Sequence, residues 1–454
     1  MSNFSWSNVP LWLRPNPDRL TAILSAAAFI WGFLPDDPSY AASIHEGFRT
    51  LIREEGLRDR IWFAAGLAFW PVTFLGLSAL ATAMNGATVA RRSGKSILRQ
   101  LREQLQLAAT RAVLPPWYYI FELFDDERRK QATAYLHRFE TKGAIYRVLR
   151  RYNPVALQGG PRTAAILKNK AVFSAWCRDH GLAAVPVLFL FERDRIVRDG
   201  AGDPIDAAEV RLPAADLFIK PKRGTGGDAA SRWAYVGEGR YRGADGAVLG
   251  EAELIARLRA AAQNRGFVVE PRIVNHPGIA DLSTGALTTV RLVTCRDERG
   301  GFEPTNAAFR MARGRDTVVD NFHAGGIAAK VEPATGMLGR ATDMGMNPGT
   351  GWLDRHPDTG ARIPGRRLPF WDEALDLARR AHAAFPDQIL IGWDIALTPD
   401  GPLLIEGNRA PDLDVIQRVS AEPLGNARLG ELIAFHLREA LRLKRLGEPC
   451  TKPV

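Results

Sequence analysis

The sequence predicts an α+β protein in which a mostly helical N-terminal region precedes a larger part that contains both strands and helices. Two apolar runs and a charged amphipathic helix occupy the first 148 residues. Strands and helices then alternate irregularly, and a pronounced β-hairpin pattern covers residues 389–408. A chain of 454 residues with 46% hydrophobic and 24% charged residues fits a globular protein of about three domains with a large core.

The N-terminal region contains a segment long enough to cross a membrane. Residues 61–84 carry no charge and have about the length that spans a bilayer, with Pro71 suggesting a kink. By the positive-inside rule, the basic residues that follow place the C-terminal side in the cytoplasm. These residues are Arg91, Arg92, Lys95, Arg99 and Arg102. A shorter run, residues 20–34, suits a short span, an interfacial helix or a buried helix. For both runs the alternative is a helical subdomain packed on the rest of the protein.

The net charge of +10 lies mostly in the first 160 residues. Nucleic-acid binding requires basic and base-contacting side chains gathered on one face. Here the charge follows an apolar run instead, so no nucleic-acid partner is expected. The three cysteines are widely spaced, which argues against a disulfide framework and for a reducing compartment. No His or Cys cluster has zinc spacing.

Two lysines accompany features that favour phosphate binding. After the linker NPVALQGGPR, a helix is predicted with Lys170 in its first turn, where a cation opposes the helix dipole. The strand DLFIK ends at Lys220 and leads into a loop whose backbone N–H groups can surround phosphate oxygens, with glycines at Gly224, Gly226 and Gly227. A solvent-exposed hairpin loop beside a solvated lysine gives the same pattern, so this loop has low specificity.

Further elements follow from hydrophobic periodicity and composition. An apolar strand, GFVVE, ends in Glu270. Helices are predicted at residues 251–262, 371–385 and 429–446. Residues 344–368 are rich in Gly, Pro and Arg and are predicted to form a long loop of the kind that often binds ligands.

The hairpin at residues 389–408 places two acids and an amide on one surface. Its first strand alternates apolar and small or polar residues, which predicts a half-buried strand. A three-residue turn closed by a left-handed Gly makes Thr398 face Pro402, which sets Asp394 opposite Glu406 with Asn408 on the same face. Two carboxylates about 5 Å apart repel, so a positive group is expected between them, and neutralising one could stabilise the protein slightly.

Oxygen ligands in the set Asp, Glu and Asn suit Mg²⁺, which usually also holds substrate phosphates. The alternative is a solvated hairpin face that carries acids by chance. A second unusual site is DNFHAGGI, where Asp320 and His323 precede two glycines that allow close backbone approach to a ligand. His323 is a candidate substrate contact, and a hydrogen-bonded loop histidine is the alternative. The stretch RRSGKS lacks the first glycine of a phosphate-binding P-loop.

The order of these elements resembles the ATP-grasp superfamily. The spacing is similar to D-alanine:D-alanine ligases and to carboxylate-amine ligases generally. The stretches LTTVRLVT, DNFHAGGIAAKVEPATG and IGWDIALTPDGPLLIEGN look more closely like the sugar-transfer-associated, or alpha-L-glutamate ligase-related, branch. The resemblance covers about residues 150–445. It implies an N-terminal region at 1–148, the first part of the ATP-grasp unit at 149–215, a glycine-loop subdomain at 216–275 and a Mg²⁺-binding subdomain at 276–447.

The resemblance also implies ATP and Mg²⁺ as cofactors and a role for each site residue. The implied Mg²⁺ ligands are Asp394, Glu406 and Asn408, and the implied ATP-phosphate contacts are Lys170, Lys220 and the loop glycines. Glu270 would mark the adenine and ribose side. Arg291 and Arg310 would lie near the transferred phosphate or the acyl intermediate. One departure is Gly392, because D-alanine ligases carry an Arg two positions before the metal-binding Asp. The missing arginine would come from Arg310 or Arg409, or the reaction differs.

The implied reaction joins a carboxylate to an amine through an acyl phosphate and releases ADP. The family name suggests cell-envelope polysaccharide or glycoconjugate biosynthesis, with the catalytic domain in the cytoplasm at the inner face of the membrane. Two alternatives stay open: an ATP-grasp kinase that phosphorylates a hydroxyl of a small molecule or glycan, and a non-catalytic membrane-bound adaptor.

Overall fold

The computed structural model describes residues 39–53, 57–111, 113–193, 195–224, 229–314, 320, 322, 325–346 and 351–446. The chain groups into two compact units. The first comprises Met1–Asn153, Gly345–Gly349 and Asp412–Val454, and the second comprises Pro154–Met344 and Thr350–Pro411. The four-part division inferred from the sequence stays a prediction beside this grouping.

The helices account for most of the first unit and flank the sheets of the second. In chain order they are α1 (Tyr40–Arg53), α2 (Leu57–Ser93), α3 (Ile97–Arg111), α4 (Pro115–Ile120), α5 (Asp126–Lys130), α6 (Arg138–Glu140), α7 (Tyr146–Arg151), α8 (Pro154–Leu157), α9 (Lys170–Asp179), α10 (Glu251–Ala262), α11 (Pro277–Ala280), α12 (Trp371–Ala383), α13 (Leu413–Ser420) and α14 (Arg428–Arg445). Single tighter or wider helical turns lie at Ala132–Ala134, Thr141–Ile145, Thr163–Lys168 and Ala207–Glu209.

The strands belong to the second unit and form two sheets. They are β1 (Phe189–Glu192), β2 (Arg195–Arg198), β3 (Pro204–Ile205), β4 (Leu217–Pro221), β5 (Ser231–Tyr235), β6 (Arg240–Gly243), β7 (Val248–Gly250), β8 (Phe267–Pro271), β9 (Thr289–Arg296), β10 (Phe302–Met311), β11 (Ile327–Val331), β12 (Leu338–Thr342), β13 (Leu390–Thr398) and β14 (Gly401–Asn408). One sheet has the order β3-β2-β1-β8-β4-β5-β6-β7 and the other β12-β11-β10-β9-β13-β14. The predicted α+β class with a helical N-terminal region is confirmed.

In the first unit, α2 contains the apolar run at residues 61–84 as one continuous helix with Pro71 inside it. Among the residues that the structure describes, its Pro71–Ser93 part is the one helix long and apolar enough to cross a membrane by length and composition. The other apolar run, residues 20–34, lies outside the described residues. The membrane interpretation of these runs therefore stays a prediction.

In the second unit, α12 packs on the six-stranded sheet. Trp371, Phe385 and Trp393 are among the bulky side chains of this core. All nine residues of β13 are buried, so the strand is not half-buried as its alternation suggested. The reason is that both faces are covered. Ile391, Trp393 and Ile395 pack in the core with α12, and Pro411 and Arg291 lie against Gly392 on the other face.

The predicted helices form with small differences at their ends. The helix over Glu251–Ala262 has the predicted bounds, α12 ends two residues early, and α14 is displaced by one residue. Helix α9 begins at Lys170, which places this lysine in the first turn as predicted, because the Asn169 side chain accepts a hydrogen bond from the N–H of Ala171 as an N-cap. It ends before Gly181, whose φ of +63° is a left-handed conformation that favours glycine. Lys170 is thus fixed at the head of the helix.

Candidate active site

The hairpin of β13 and β14 pairs Asp394 with Glu406, as predicted, but by a different register. Thr398 pairs with Gly401 rather than with Pro402, so the turn is one residue shorter than predicted. A register shift beside Asp394 then adds one residue to β14 as a β-bulge, and this shift restores the facing carboxylates. The turn and the bulge therefore compensate each other.

Glu406 is the more accessible of the two carboxylates. Its side chain is 30% exposed, whereas that of Asp394 is 5% exposed. The Nδ2 of Asn408 donates a hydrogen bond to Oε1 of Glu406 at 3.2 Å. The Nζ of Lys170 lies 3.9 Å from the other oxygen, Oε2. Helix α9 thus brings a cation to the metal-ligand candidates of the hairpin.

Two arginines hold Asp394, one from the adjacent strand β9 and one from β10 beyond it. Arg291 lies directly across from it on β9 and binds both carboxylate oxygens, with Nε to Oδ1 at 2.5 Å and Nη2 to Oδ2 at 3.1 Å. Arg310 of β10 adds a contact from Nη2 to Oδ2 at 2.9 Å. Burial by itself would raise the pKa of Asp394, but the two guanidinium charges outweigh it and lower the pKa to about 2. The positive group expected near the facing acids is therefore supplied by the protein.

Arg310 also connects Asp394 to a second buried acid. Its Nε and Nη2 donate to the hydroxyl of Thr289 at 3.1 and 2.5 Å, and its Nη2 lies 3.4 Å from Oδ1 of Asp320. The Thr289 hydroxyl donates in turn to Oδ2 of Asp320 at 2.6 Å. Burial raises the pKa of Asp320, and the charge of Arg310 opposes this effect. The guanidinium is thereby fixed in orientation by three partners.

The eight-stranded sheet contributes a buried ion pair. The Nζ of Lys220 on β4 lies 2.9 Å from Oε2 of Glu270 on β8. Burial raises the pKa of Glu270, and the charge of Lys220 opposes this effect. Lys170 donates from Nζ to the carbonyl oxygen of Gly224 at 3.1 Å. Burial lowers the pKa of Lys170, and the nearby Glu406 opposes this.

Charges of alternating sign therefore extend from one sheet to the other. Lys170 interacts electrostatically with Lys220, Glu270 and Glu406, and Arg310 interacts with Asp320, Asp394 and Glu406. The predicted site residues that the structure brings together are Lys170, Lys220, Gly224, Glu270, Arg291, Arg310, Asp394, Glu406 and Asn408. The remaining three, Gly226, Gly227 and His323, lie outside the described residues. Gly224 has a φ of +129°, a conformation that favours glycine.

The glycine at position 392 leaves space that Arg291 uses. A Cβ at Gly392 would lie 2.6 Å from Cβ of Pro411 and 3.3 Å from Cδ of Arg291. A side chain at this position would collide with Pro411 and press on Arg291. An arginine from the adjacent strand therefore lies beside the position where D-alanine ligases carry theirs. Of the two arginines expected to replace the one absent at position 392, Arg310 contacts Asp394. The second, Arg409, is half-buried, and burial lowers its pKa.

Two members of this network were not selected from the sequence. Thr289 gave no signal, because a threonine in a strand is commonplace. The sequence shows Asp320 as part of the stretch DNFHAGGI but does not indicate what its side chain does. Its partner Arg310 is ten positions away and Thr289 is on another strand, so only the pairing of β9 with β10 joins them.

The residues present fit a hard cation. Among the described residues, no three His, Cys, Asp or Glu side chains come together as a metal cluster. The hairpin instead offers two carboxylates and one amide, which are the oxygen ligands that Mg²⁺ accepts together with phosphate oxygens and water. Glu406 is partly exposed, and Asn408 lies beside it. Both oxygens of Asp394 already accept hydrogen bonds from arginine, so its negative charge is shared.

Comparison with known proteins gives one family match. The family model described as sugar-transfer associated ATP-grasp matches residues 150–429, more than half of the chain. No curated protein matches the sequence significantly.

Several solved structures are similar to this chain at low sequence identity. D-alanyl-alanine synthetase A from Vibrio cholerae O1 biovar eltor shows 14% identity, with 62% of this chain and 68% of that chain covered and a TM-score of 0.36. D-alanine–D-alanine ligase from Bacillus anthracis shows 12% identity, 69% and 80% coverage and a TM-score of 0.37. N5-carboxyaminoimidazole synthase from Aspergillus clavatus shows 11% identity, 58% and 53% coverage and a TM-score of 0.30, so the chain spans about half of that protein.

Proposed function

Because this chain belongs to the sugar-transfer associated ATP-grasp family, we propose that it is a Mg²⁺-dependent, ADP-forming ligase that joins a carboxylate to an amine. The observation that carries the proposal is the 3.9 Å approach of Lys170 to Glu406, which joins the lysines near the eight-stranded sheet to the acids and arginines of the other sheet. A nucleotide held by the lysines would thus present its phosphates to the hairpin. Such positioning of charge is the main contribution a protein makes to phosphoryl transfer.

Each charged group has a place in this reaction. Lys170 and Lys220 bind phosphate oxygens of ATP, and Glu270 keeps Lys220 in place. Glu406, Asn408 and Asp394 would hold Mg²⁺, which neutralises charge on the phosphate oxygens when bound. Arg310 donates hydrogen bonds toward the negative charge that develops during transfer, with Arg291 beside it. Thr289 and Asp320 orient Arg310 through the contacts described above.

The proposed reaction has two steps, phosphoryl transfer to the carboxylate and attack of the amine on the acyl phosphate. A carboxylate oxygen of the substrate attacks the γ-phosphorus, the bond to the bridging oxygen breaks, and ADP leaves. The amine then attacks the acyl carbon, inorganic phosphate leaves, and the amine loses a proton to solvent. The substrates belong to cell-envelope polysaccharide or glycoconjugate biosynthesis, following the sugar-transfer association of the family.

The decisive experiment is trapping of the acyl phosphate. Purified protein is incubated with ATP, Mg²⁺ and a pool of carboxylates, with hydroxylamine in place of the amine. We expect ADP and a hydroxamate. ADP with a stable phosphorylated product and no hydroxamate would identify a kinase, AMP with pyrophosphate would exclude the mechanism, and absence of Mg²⁺-dependent nucleotide binding would indicate an adaptor.

Replacing Lys220 by Ala should weaken ATP binding by about 1.5–3 kcal/mol, the range for hydrogen bonds to charged groups. Isothermal titration calorimetry measures this loss. The matched control is Lys222→Ala, because Lys222 also lies at the end of β4 and pairs with an acid, Glu192, outside the charge network. Since Lys220→Ala leaves Glu270 buried without its ion-pair partner, the double variant with Glu270→Gln separates ATP contact from fold damage. Wild-type affinity in both Lys220 variants would remove this lysine from the site.

The N-terminal helices have a separate role in this proposal. They attach the enzyme to the inner face of the cytoplasmic membrane, where envelope precursors are found, and the ATP-grasp part faces the cytoplasm, where ATP is available. The uncharged residues 61–84 and the basic residues after them support this attachment.

A further inference from the structure

The exposed face of α2 is apolar between positions 71 and 87. Between positions 72 and 87, the exposed large side chains are Val72, Leu75, Leu80 and Met84, with exposures of 73, 57, 59 and 44%. Every other exposed position in this stretch is Gly or Ala. A water-facing helix surface normally carries polar or charged side chains. This face has none.

The buried face of the same helix carries three polar side chains among apolar ones such as Phe74 and Val89. Ser78, Thr82 and Asn85 are 2, 6 and 3% exposed. The Nε2 of Gln104 on α3 donates to the hydroxyl of Thr82 at 2.9 Å, and the hydroxyl of Tyr119 on α4 donates to it at 3.2 Å. Helix α2 therefore buries polar side chains while its exposed positions between 71 and 87 are apolar, unlike a typical helix on the surface of a water-soluble protein.

Helix α3 also buries polar side chains and exposes apolar ones, although its exposed positions include Arg99 and Arg102 as well. It buries Gln100, Glu103 and Gln104, while Leu98 and Leu105 are 78 and 45% exposed. It also approaches α2 closely, because Nε2 of Gln100 donates to the carbonyl oxygen of Gly86 at 2.9 Å. The two helices are thus held together by polar groups that both of them bury.

The border of the apolar face is basic. Arg91 and Arg92 form the last turn of α2 and are exposed, as is Arg102 of α3. Lys95 and Arg99 are already paired with Glu103 and Asp126. The exposed Arg91, Arg92 and Arg102 lie beside the apolar face, where their charges can attract anionic headgroups.

We propose that the exposed face of α2 lies in the plane of an anionic lipid surface, rather than crossing the bilayer. The proposal rests on the membrane attachment proposed above and specifies its geometry. A stretch of 23 residues, Pro71–Ser93, is long enough to cross. Crossing would, however, carry α3 with its charged residues into the hydrocarbon, because α3 is hydrogen-bonded along the same stretch of α2. Only the outer face is available to lipid, and an in-plane helix uses one face.

Depth measurements distinguish the two geometries. Single cysteines are introduced as Val72→Cys and Met84→Cys in the full chain with Cys450→Ser, and each is labelled with a fluorophore and quenched by lipids brominated at different depths. These positions are about 18 Å apart along a helix. Equal, shallow depths are expected. Depths that differ by most of that distance would mean a spanning helix and would overturn the proposal.

Binding to vesicles tests the face itself. The double variant Leu75→Gln, Leu80→Gln should bind phosphatidylglycerol vesicles at least about tenfold more weakly than the native chain. The control is Leu446→Gln, because Leu446 is 60% exposed, like Leu80, but lies after α14. Native binding to pure phosphatidylcholine should be weaker than to phosphatidylglycerol.

Unchanged vesicle binding by the double variant would overturn the lipid proposal. A native chain that forms dimers and does not bind vesicles would also overturn it, and would assign the apolar face to contact with another copy of the chain. ATP binding is measured on the same samples. If the protein binds ATP but not vesicles, only the lipid proposal is contradicted. If it binds vesicles but not ATP, only the proposed ATP chemistry is contradicted.

Discussion

Replacing Asp394 by Asn is expected to abolish Mg²⁺-dependent ATP turnover and also to lower the free energy of unfolding by about 3 kcal/mol. The stability loss follows from the two arginines that bind this carboxylate. Without its charge, Arg291 is left buried with no ionised partner at this position, because its side-chain hydrogen bonds among the described residues go to Asp394. The facing carboxylates alone suggested a slight stabilisation, and the arginine contacts reverse the expected sign.

Glu406→Gln is the matched control for this prediction. Glu406 is partly exposed, and its nearest cation, Lys170, is 3.9 Å away, so its removal should cost under about 1 kcal/mol. Turnover should still be lost, because both acids are proposed to hold Mg²⁺. Chemical denaturation and an ADP-release assay measure the two effects. Normal turnover in either variant would show that the hairpin is not the metal site.

The pH dependence of the Asp394 effect has a definite sign. A carboxyl group whose pKa falls from 3.8 to about 2 on folding contributes stability that is present above its unfolded pKa and lost as the pH falls through the folded value. The stability difference between the native protein and Asp394→Asn should therefore be constant above about pH 5 and shrink by about 2 kcal/mol as the pH approaches 2. A difference that grows in acid would contradict the ion-pair assignment.

Replacing Arg310 by Ala should lower turnover by about 100- to 1,000-fold while changing ATP affinity much less. Arg310 is held by Thr289 and Asp394 and points to the acids of the hairpin, so its proposed partner is the charge that develops during transfer. Arg310→Lys keeps the charge but loses the fork of donors, and it should recover only part of the rate. Turnover and KM are measured per folded molecule.

Arg340→Ala provides the control for a general effect of removing an arginine from this sheet. Arg340 on β12 also pairs with an aspartate, Asp354, with Nε to Oδ1 at 3.0 Å, but it is exposed and outside the charge network. Its removal should leave turnover unchanged. An unaffected rate in Arg310→Ala would remove Arg310 from the reaction and leave Arg291 or Arg409 as the replacement for the arginine absent at position 392.

Local sequence patterns were sufficient to predict the main helices of the second unit and the facing acids of the hairpin. Helix α10 has the predicted bounds because its periodicity and end signals agree. The pairing of Asp394 with Glu406 was also predicted, although the turn was assigned one residue too long. The two errors of register cancelled, because a bulge on β14 adds the residue that the shorter turn omits. No feature of the local sequence marks that bulge.

The sequence by itself determined the α+β class, the acids and amide of the hairpin, the lysines at Lys170 and Lys220, and the apolar length of α2. The tertiary structure decided which cations meet which acids, because the order β10-β9-β13-β14 brings Arg291 and Arg310 to Asp394 from 103 and 84 positions away. It also decided which side of α2 is buried. Composition fixes how apolar a helix is, but only tertiary packing sets Ser78, Thr82 and Asn85 inside and leaves Leu75 and Leu80 exposed.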